Sequence, residues 1–242
     1  MSRRRRPHDR AVRVATFNIR HGADAEERVR PVALARACAA LGADVLGLQE
    51  VEQGRRRSWY VDQGRFVAVF LRARHVAGPA VRRNRWRAYG NSLIVRGQVG
   101  DVEVLDLPHG PDREPRAAII ADVTVRGLPL SVAVTHLQHR PARLRHLPHD
   151  APQQLTAVLD VLRARRGPHI VLGDCNLQPE NARPLFEAAG FEIVEHGPTY
   201  PAHEPRLQLD YIAVSGLEVR AAEVRGAAAV SDHRAVVADL VP

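Results

Sequence analysis

Eleven short runs of apolar, largely β-branched residues follow one another along the chain, and they constrain its fold more than any other feature. The runs are VRVATFNI, DVLGLQEV, FVAVFL, NSLIVR, DVEVLDL, AAIIADVTV, LPLSVAVTHL, HIVLGD, LDYIAV, LEVRAAEV and AVVADL. Runs of this length and composition predict β-strands. Helical periodicity is found in three stretches, residues 26–41, 152–166 and 180–189.

The spacing of the runs indicates how the predicted strands are arranged. Runs joined by short turns, as in DVTVRGLPLSVAVTHL, predict antiparallel hairpins. Eleven strands with three helices do not form a regular repeat of strand, helix and strand. We therefore predict an α/β sandwich, in which two packed mixed, mostly antiparallel sheets carry helices on the outside.

Length and charge indicate how the chain is divided. The 242 residues contain no internal repeat and no low-complexity linker, so residues 11–242 are predicted to form one domain. The first ten residues contain five arginines and one aspartate, which is half of the net charge of +8. We expect this basic tail to be disordered. It either holds phosphate polymers weakly through counterion release or has no role.

Composition also predicts where the protein resides. No segment approaches the roughly 18–20 apolar residues of a membrane span, and no apolar core follows the basic start as it would in a signal peptide. Cys38 and Cys175 are too few for a disulfide framework, which favours a reducing compartment. We expect a cytoplasmic monomer without stable membrane association.

Several predicted strands begin or end at polar residues that a packed strand does not require. Each has an ordinary explanation as a turn residue, a helix cap or a hydrogen-bonded core histidine. Ligand sites in α/β folds, however, gather where loops leave the strand ends. Together these residues therefore predict a site, and they are Asn18, Glu50, His136, Asp174, Asn176, Asp210, Asp232 and His233.

These residue types suit the hydrolysis of a phosphate ester. Catalysis on such a negatively charged group depends chiefly on electrostatic stabilisation and positioning. Mg²⁺ (or Mn²⁺) prefers oxygen ligands, so Glu50 is the natural direct ligand, with Asn18 beside it. Asp174 can orient or deprotonate the attacking water, and Asn176 can hold that water or a phosphoryl oxygen.

Two histidines add hydrogen-bond donors to this set. His233 paired with an acid can stay cationic and donate to the phosphate, and His136 offers a second donor. The sequence contains neither a zinc motif such as HExxH nor a phosphate-cradling GxxxxGK.

The ordered motifs resemble those of the endonuclease/exonuclease/phosphatase superfamily. They are TFNIRHG, LQEVE, YGNSLIVR, EPRAAII, VTHL, GDCNLQP, LDYIAVS and SDHRAVVADL, and they extend from about Val12 to Leu240. The resemblance implies a four-layer α/β sandwich and divalent-metal-dependent hydrolysis of phosphodiesters or phosphomonoesters.

The resemblance also implies roles for individual residues. Asn18, Glu50 and Asp232 match the metal-side residues, and Asp174 and Asn176 match the pair that orients the water. Asp210 matches the acid that orients the catalytic His233, and His136 matches a histidine that contacts the scissile phosphate. The implied substrate-binding residues are Asn91, Arg113 and Arg116.

The substrate class is left open by the sequence. DNases of this superfamily carry an arginine two positions after the metal-binding glutamate, whereas this chain has Glu52, which we expect to repel DNA phosphates. The segment VRRNRWRAYG (81–90) interleaves arginines with aromatic residues and favours a nuclease. The segment HRPARLRHLPHD (139–150) follows His136 and is a candidate substrate-selecting loop.

Three functions are therefore compared. The first is a phosphohydrolase acting on a small or medium phosphate ester by in-line attack of an activated water. The second is a nuclease acting on DNA or RNA. The third is a catalytically inactive binding module for nucleic acid or a protein partner. Such a module would be expected to lack one or more of Glu50, Asp174, Asp232 and His233, and all four are present.

Overall fold

The computed structural model describes residues 11–84, 86–140, 148–226 and 229–242, so the predicted basic tail lies outside the described residues. The described residues form twelve strands: β1 (Val12–Asn18), β2 (Val45–Gln53), β3 (Arg74–Asn84), β4 (Arg87–Val95), β5 (Gln98–Leu107), β6 (Arg116–Val125), β7 (Leu128–His136), β8 (His169–Asp174), β9 (Glu192–Ile193), β10 (Asp210–Ser215), β11 (Glu218–Arg225) and β12 (Ala235–Val241). They also form four α-helices: α1 (Pro31–Ala40), α2 (Gln63–Leu71), α3 (Ala151–Arg163) and α4 (Pro179–Ala188).

The strands form two sheets of six. The first sheet has the order β11-β12-β1-β2-β4-β3, and the second has the order β5-β6-β7-β8-β10-β9. Within the first sheet β1 and β2 are parallel, and within the second β7 and β8 are parallel. The remaining pairs are antiparallel. Both sheets are therefore mixed and mostly antiparallel, as the sequence predicts.

Three buried apolar clusters separate four layers. One cluster lies between the sheets and joins residues such as Val14 and Leu93 of the first sheet to Ile119 and Leu172 of the second. A second cluster packs α3 and α4 onto the outer face of the second sheet, and a third packs α1 and α2 onto the first. The predicted sandwich with outside helices is confirmed. That residues 11–242 form one domain stays a prediction.

The run FVAVFL (66–71) is predicted as a strand but lies in helix α2. Asp62 caps the start of this helix by accepting a hydrogen bond from the backbone N–H of Arg65 at 3.0 Å, and Arg72 ends it in the left-handed region at φ +53°. A short apolar run does not distinguish a strand from a helix with one buried face. Here Val67 and Ala68 are buried while Val69 and Phe70 are exposed.

Other differences are smaller. The helix predicted at 26–41 begins only at Pro31, because the backbone N–H groups of Glu26 and Arg28 bond the carboxylate of Asp24 in a preceding loop. Strands β3 and β9 are additional to the predicted set. Among the described residues, no helix has the length and apolar composition needed to cross a membrane.

Candidate active site

Strand register brings three of the predicted site residues to one edge of the second sheet. The parallel pairing of β7 and β8 places His136 beside Asp174. The antiparallel pairing of β8 and β10 places Asp210 opposite Asp174. All three side chains are buried. Residues separated by up to 74 positions in the sequence therefore become neighbours through backbone pairing alone.

The loop before β12 adds His233 to this edge. Its Nδ1 atom lies 2.9 Å from Oδ2 of Asp210, and its Nε2 atom lies 3.8 Å from Oδ2 of Asp174. Ser231 fixes the loop, since its hydroxyl donates to the carbonyl of Asn18 at 2.6 Å and accepts from the backbone N–H of His233 at 3.0 Å. The ring of Tyr200 packs against His233 with centroids 4.8 Å apart.

Glu50 comes from the first sheet, at a bulge in β2. Leu48 pairs with Ser92 and Val51 with Gly90, so two residues of β2 oppose Asn91 of β4. Glu50 has φ +57°, in the left-handed region that is unfavourable for a residue with a Cβ. Such bulges re-aim side chains next to active sites, and Glu50 lines the cleft described below.

Asn18, at the end of β1, links the carboxylates of the two sheets. Its Nδ2 atom donates to Oε1 of Glu50 at 3.0 Å and to Oδ2 of Asp174 at 2.9 Å, while its Oδ1 accepts from the backbone N–H of Arg20. An amide nitrogen carries donors only and cannot ligate a cation. Asn18 thus lies beside Glu50 and turns its amide nitrogen toward the carboxylates as a hydrogen-bond donor, and its metal-side role stays a prediction.

Asn176 is held next to Asp174 by a tight turn. Its backbone N–H donates to Oδ1 of Asp174 at 3.0 Å, and its φ of +50° lies in the left-handed region that asparagine tolerates. The side-chain nitrogen of Asn176 donates to the carbonyl of Leu137 at 3.1 Å. Its Oδ1 atom faces Nδ1 of His139 at 3.3 Å, and the residue lines the cleft.

Burial and neighbouring charges shift the pKa values of Asp174, His136 and His233 in different directions. Burial, followed by the charge of Asp210, raises the pKa of Asp174 to about 7. Burial lowers the pKa of His233, but the carboxylates of Asp210 and Asp174 outweigh it and raise this pKa to about 10. Burial, followed by the charge of Arg116, holds the pKa of His136 well below its usual value. At neutral pH the site thus combines a cationic His233 with a neutral His136.

These residues surround an open cleft of about 600 Å³. Seven of the predicted residues line it, namely Glu50, Arg116, His136, Asp174, Asn176, Asp232 and His233. The Arg116 side chain is buried, and its Nε atom has no hydrogen-bond partner among the described residues. Asp210 and Asn18 are buried, and each hydrogen-bonds a residue that lines the cleft: Asp210 bonds His233, and Asn18 bonds Asp174.

Two predicted substrate-binding residues are not among those lining the cleft. The Arg113 side chain packs at the α3 side, with its Nε 3.8 Å from the carboxylate of Asp150 and a hydrogen bond to the carbonyl of Pro148. Asn91 is buried and donates to the carbonyl of Ala117 at 2.7 Å, which ties β4 to β6. The geometry gives both a connecting role, and their contact with substrate stays a prediction.

Glu52 does not face the surface, contrary to expectation. Its side chain is fully buried, and Oε1 accepts hydrogen bonds from Nε and Nη2 of Arg57, the first at 2.9 Å. Arg55 lies 3.9 Å from the same oxygen. The expected repulsion of DNA phosphates is therefore wrong, because a buried carboxylate neutralised by two arginines presents no negative charge to a ligand.

The donor set fits a hard divalent cation. Glu50 and Asp232 both line the cleft, and burial, with the charge of Glu50 contributing, raises the pKa of Asp232. Crowded carboxylates of this kind suit Mg²⁺ or Mn²⁺. Ligand atoms of Asp174, Asp210 and His233 also lie within 4.8 Å of one another. A cation at that second position would have to displace the proton of His233, whose pKa is raised to about 10, whereas Glu50 and Asp232 offer carboxylate ligands.

Sequence reasoning missed several groups that line the cleft or contact the residues lining it. Arg20 approaches Asp232 with its Nε 3.5 Å from Oδ2. Burial, followed by the charge of Glu50, raises the pKa of Tyr89. His139, Arg140 and His149 line the cleft from both ends of the predicted substrate-selecting segment, whose residues 141–147 lie outside the described residues. Of the missed residues, Ser231 was the easiest to find from the sequence, because it directly precedes the predicted Asp232 and His233.

Solved structures with the same fold come from bacteria and animals. An endonuclease/exonuclease/phosphatase from Beutenbergia cavernae DSM 12333 superimposes with a TM-score of 0.77 at 22% identity, over 96% of this chain and 72% of that one. The catalytic domain of human Nocturnin, with a bound sulfate anion, gives 0.72 at 22% identity, over 98% and 95% of the two chains. Truncated Caenorhabditis elegans TDP2 gives 0.70 at 17% identity, over 96% and 98%.

Sequence comparison gives the family. No curated protein matches the chain by sequence at a significant level. The family model described as the endonuclease/exonuclease/phosphatase family matches residues 15–233, which include every residue of the cleft described above. The chain therefore belongs to the endonuclease/exonuclease/phosphatase family.

Proposed function

We propose that the protein is a divalent-metal-dependent phosphohydrolase that cleaves a phosphodiester or phosphomonoester by in-line attack of an activated water. Family membership supports this proposal, because the members are metal-dependent hydrolases of phosphate esters. The observation that carries it is the meeting, in one cleft, of the Asp210–His233 pair, Asp174, and the carboxylates of Glu50 and Asp232.

Each group has a role that its surroundings support. Glu50 and Asp232 would hold Mg²⁺ or Mn²⁺, which when bound neutralises phosphate charge and stabilises the charge of the leaving group. Asp174, with a pKa of about 7, accepts the proton of the attacking water near neutral pH. Asn176 holds that water or a phosphoryl oxygen, and Asn18 orients Asp174 through the 2.9 Å hydrogen bond.

The basic groups stabilise the negative charge of the transition state. His233 is cationic, is oriented by Asp210, and has its Nε2 directed toward the Asp174 side of the cleft. His136 is neutral and donates one hydrogen bond, while Arg116 supplies a second positive charge. Preorganised donors of this kind are each worth about 10²–10³ in rate.

A nuclease is the second candidate function. The burial of Glu52 removes the main expected obstacle to a polynucleotide near the cleft. A catalytically inactive binding module is disfavoured, because Glu50, Asp174, Asp232 and His233 are all present and converge on one cleft.

A substrate panel tests the proposed function. Plasmid DNA, RNA, a generic bis-ester and several phosphomonoesters are incubated with Mg²⁺ or Mn²⁺, with the Asp174→Ala protein as the blank. We expect hydrolysis that EDTA abolishes and added metal restores. Turnover that persists in EDTA, or that Asp174→Ala and His233→Ala leave intact, contradicts the proposal.

A further inference from the structure

Both tryptophans of the chain are exposed at one end of the first sheet. Trp59 is 70% exposed and Trp86 is 66% exposed, although tryptophan is on average a highly buried residue. Tyr60, next to Trp59, is 64% exposed. A chain that places its largest aromatic side chains in water at one location has a surface that packing alone does not explain.

The two tryptophans lie on adjoining elements. Trp59 is in the loop between β2 and α2, and Trp86 is at the tip of the hairpin formed by β3 and β4. Gly54, at the start of that loop, has φ +67°, and a Cβ there would lie 2.0 Å from the carbonyl oxygen of Trp86. The loop therefore packs directly against the hairpin tip.

The loop holds its aromatic rings outward against backbone strain. Trp59 and Tyr60 have φ of +59° and +57°, a conformation that residues with a Cβ rarely adopt. The indole N–H of Trp59 donates to the carbonyl of Val29 at 3.0 Å, and the backbone N–H of Tyr60 donates to the carbonyl of Arg55 at 2.8 Å. Strained residues that the surrounding structure fixes in place are typical of functional surfaces.

Unpaired positive charge accompanies the rings. Arg56, Arg82, Arg83 and Arg87 are exposed and form no ion pair within the described part of the chain. Of the two acids that flank the segment 54–60, Glu52 is buried and bound to Arg57, and Asp62 caps α2. We define the aromatic–arginine surface as Arg56, Trp59, Tyr60, Arg82, Arg83, Trp86 and Arg87.

This surface adjoins the mouth of the cleft. Gln53, at the end of β2, pairs with Ala88 of β4. Glu50, which lines the cleft, lies three residues before Gln53, or roughly 10 Å along a strand. Tyr89, which follows Ala88, also lines the cleft. A polymer bound across the surface can therefore extend into the cleft.

We propose that the aromatic–arginine surface binds a single-stranded polynucleotide and directs its phosphodiester backbone into the cleft. Guanidinium groups suit successive phosphates, and exposed rings stack on bases that are not paired in a duplex. This inference rests on the proposed function, since the cleft is taken to act on what the surface binds.

A lipid bilayer is the alternative partner for exposed tryptophan and arginine, but the composition of the surface disfavours it. Stable binding to a membrane surface requires a sizeable apolar face to insert below the headgroups. The segments 54–60 and 82–87 contain no aliphatic residue. The aromatic rings are instead interleaved with arginines, as in grooves that bind nucleic acids.

Intrinsic fluorescence tests the proposal directly, because the two tryptophans are the only ones in the chain and both belong to the surface. The full-length protein is titrated in EDTA with a 20-nucleotide oligothymidylate, with the matching duplex, and with phosphatidylserine/phosphatidylcholine vesicles. We expect the single strand to quench the fluorescence more strongly and at lower concentration than the duplex. EDTA prevents turnover, so binding is measured independently of the proposed hydrolysis.

Variants locate the binding. Anisotropy of a fluorescein-labelled oligothymidylate is measured for Trp59→Ala, Trp59→Phe and the double variant Arg83→Ala/Arg87→Ala. Loss of one stacked ring should weaken binding by about 5- to 150-fold, and phenylalanine should restore most of it. Each lost phosphate contact should reduce the slope of log affinity against log salt concentration by about 0.7. The basic segment 1–10 is present in every variant, so differences between variants report on the surface.

Matched controls carry the same changes elsewhere. Arg163→Ala removes an exposed arginine of α3, and Phe70→Ala removes an exposed ring of α2. Unfolding midpoints confirm that the variants are folded. Equal affinity of Trp59→Ala and wild type, equal losses in the controls, or quenching by vesicles but not by the oligonucleotide would overturn the proposal. If the protein hydrolyses a small ester but does not bind the single strand, only this inference fails.

Discussion

The side chain of Asn18, at the end of β1, donates a hydrogen bond of 2.9 Å to the carboxylate of Asp174, at the end of β8. This bond joins the polar edges of the two sheets, and the same amide nitrogen also reaches Glu50 at 3.0 Å. One buried amide therefore separates two carboxylates that would otherwise repel each other. The spacing of Glu50 and Asp174 depends on this donor.

Replacing Asn18 by aspartate should impair catalysis. The Asn18→Asp side chain has the same shape but replaces a donor by a third carboxylate, so Asp174 and Glu50 lose their shared partner. We expect kcat on a generic bis-ester to fall by about 10²–10³. The control is Asn181→Asp, the same change at an exposed residue of the cleft rim. Equal kcat for Asn18→Asp and wild type would show that the bridge has no role.

The Asp210–His233 pair should set the alkaline limit of activity. Asp210 and Asp174 raise the pKa of His233 to about 10 against the opposing effect of burial. In Asp210→Asn this support is lost, so His233 loses its proton at lower pH, and the alkaline limb of the kcat profile should shift down by more than one pH unit. Steady-state rates between pH 6 and 10 measure the shift. The control Asp160→Asn, on the exposed face of α3, should keep the wild-type pH profile of kcat. If the alkaline limb of the kcat profile does not move in Asp210→Asn, Asp210 does not control the protonation of His233.

Glu50→Gln should weaken metal binding more than it disturbs the fold. Glutamine keeps an oxygen that can accept the hydrogen bond from Asn18, but it removes the charge that attracts the cation. We expect the Mg²⁺ concentration for half-maximal activity to rise at least about tenfold, and Mn²⁺ affinity measured by calorimetry to fall in parallel.

The same measurement distinguishes the two possible ion positions. Glu187→Gln, on α4, is the matched control. If the ion lies instead among Asp174, Asp210 and His233, Glu50→Gln should leave Mn²⁺ affinity unchanged and Asp210→Asn should reduce it.

The sequence predicted the layers of the fold because central strands that are buried on both faces form continuous apolar runs. The run HIVLGD corresponds to β8 without a shift at either end, since turn-forming residues flank a continuous apolar stretch. The run FVAVFL failed because six apolar residues fit a half-buried helix equally well, and the capping interaction of Asp62 decided between them. Local propensity could not rank these alternatives without the packing of α2 on the first sheet.

Residues that line the cleft could be selected from the sequence, but their local geometry could not. Motif order placed Glu50 and His233 among the predicted residues, and both line the cleft. Nothing in the sequence indicated, however, the bulge in β2 at which Glu50 adopts a φ of +57°. The burial of Glu52 was also hidden, because whether an acid faces water or Arg57 depends on the course of the following loop. Charge read from the sequence alone therefore misjudged the surface near the cleft.

Protonation of buried histidines should destabilise the protein in mild acid. Burial lowers the pKa of several histidines below the unfolded value of about 6.5, and these are His21, His75, His136, His149 and His196. Below that value the unfolded chain binds protons that the folded chain does not, so the free energy of unfolding should fall as pH decreases from 7 to 5. His233 has the opposite effect, because its pKa is raised in the folded protein. Its contribution to the free energy of unfolding is fully present below the unfolded pKa of about 6.5, and it is lost as the pH rises toward the folded pKa of about 10.

His75→Gln isolates one of these groups away from the cleft. His75 lies on β3, where its Nε2 is 3.0 Å from the hydroxyl of Ser92, and glutamine can keep a hydrogen bond to that hydroxyl. Urea denaturation at pH 5, 6, 7 and 8 should show a smaller acid-induced loss in His75→Gln than in wild type. His203→Gln, at an exposed position, should retain the wild-type dependence. A wild-type protein that is equally stable at pH 5 and pH 8, or a His75→Gln variant with an unchanged slope, would show that desolvation of these rings does not control the acid limb.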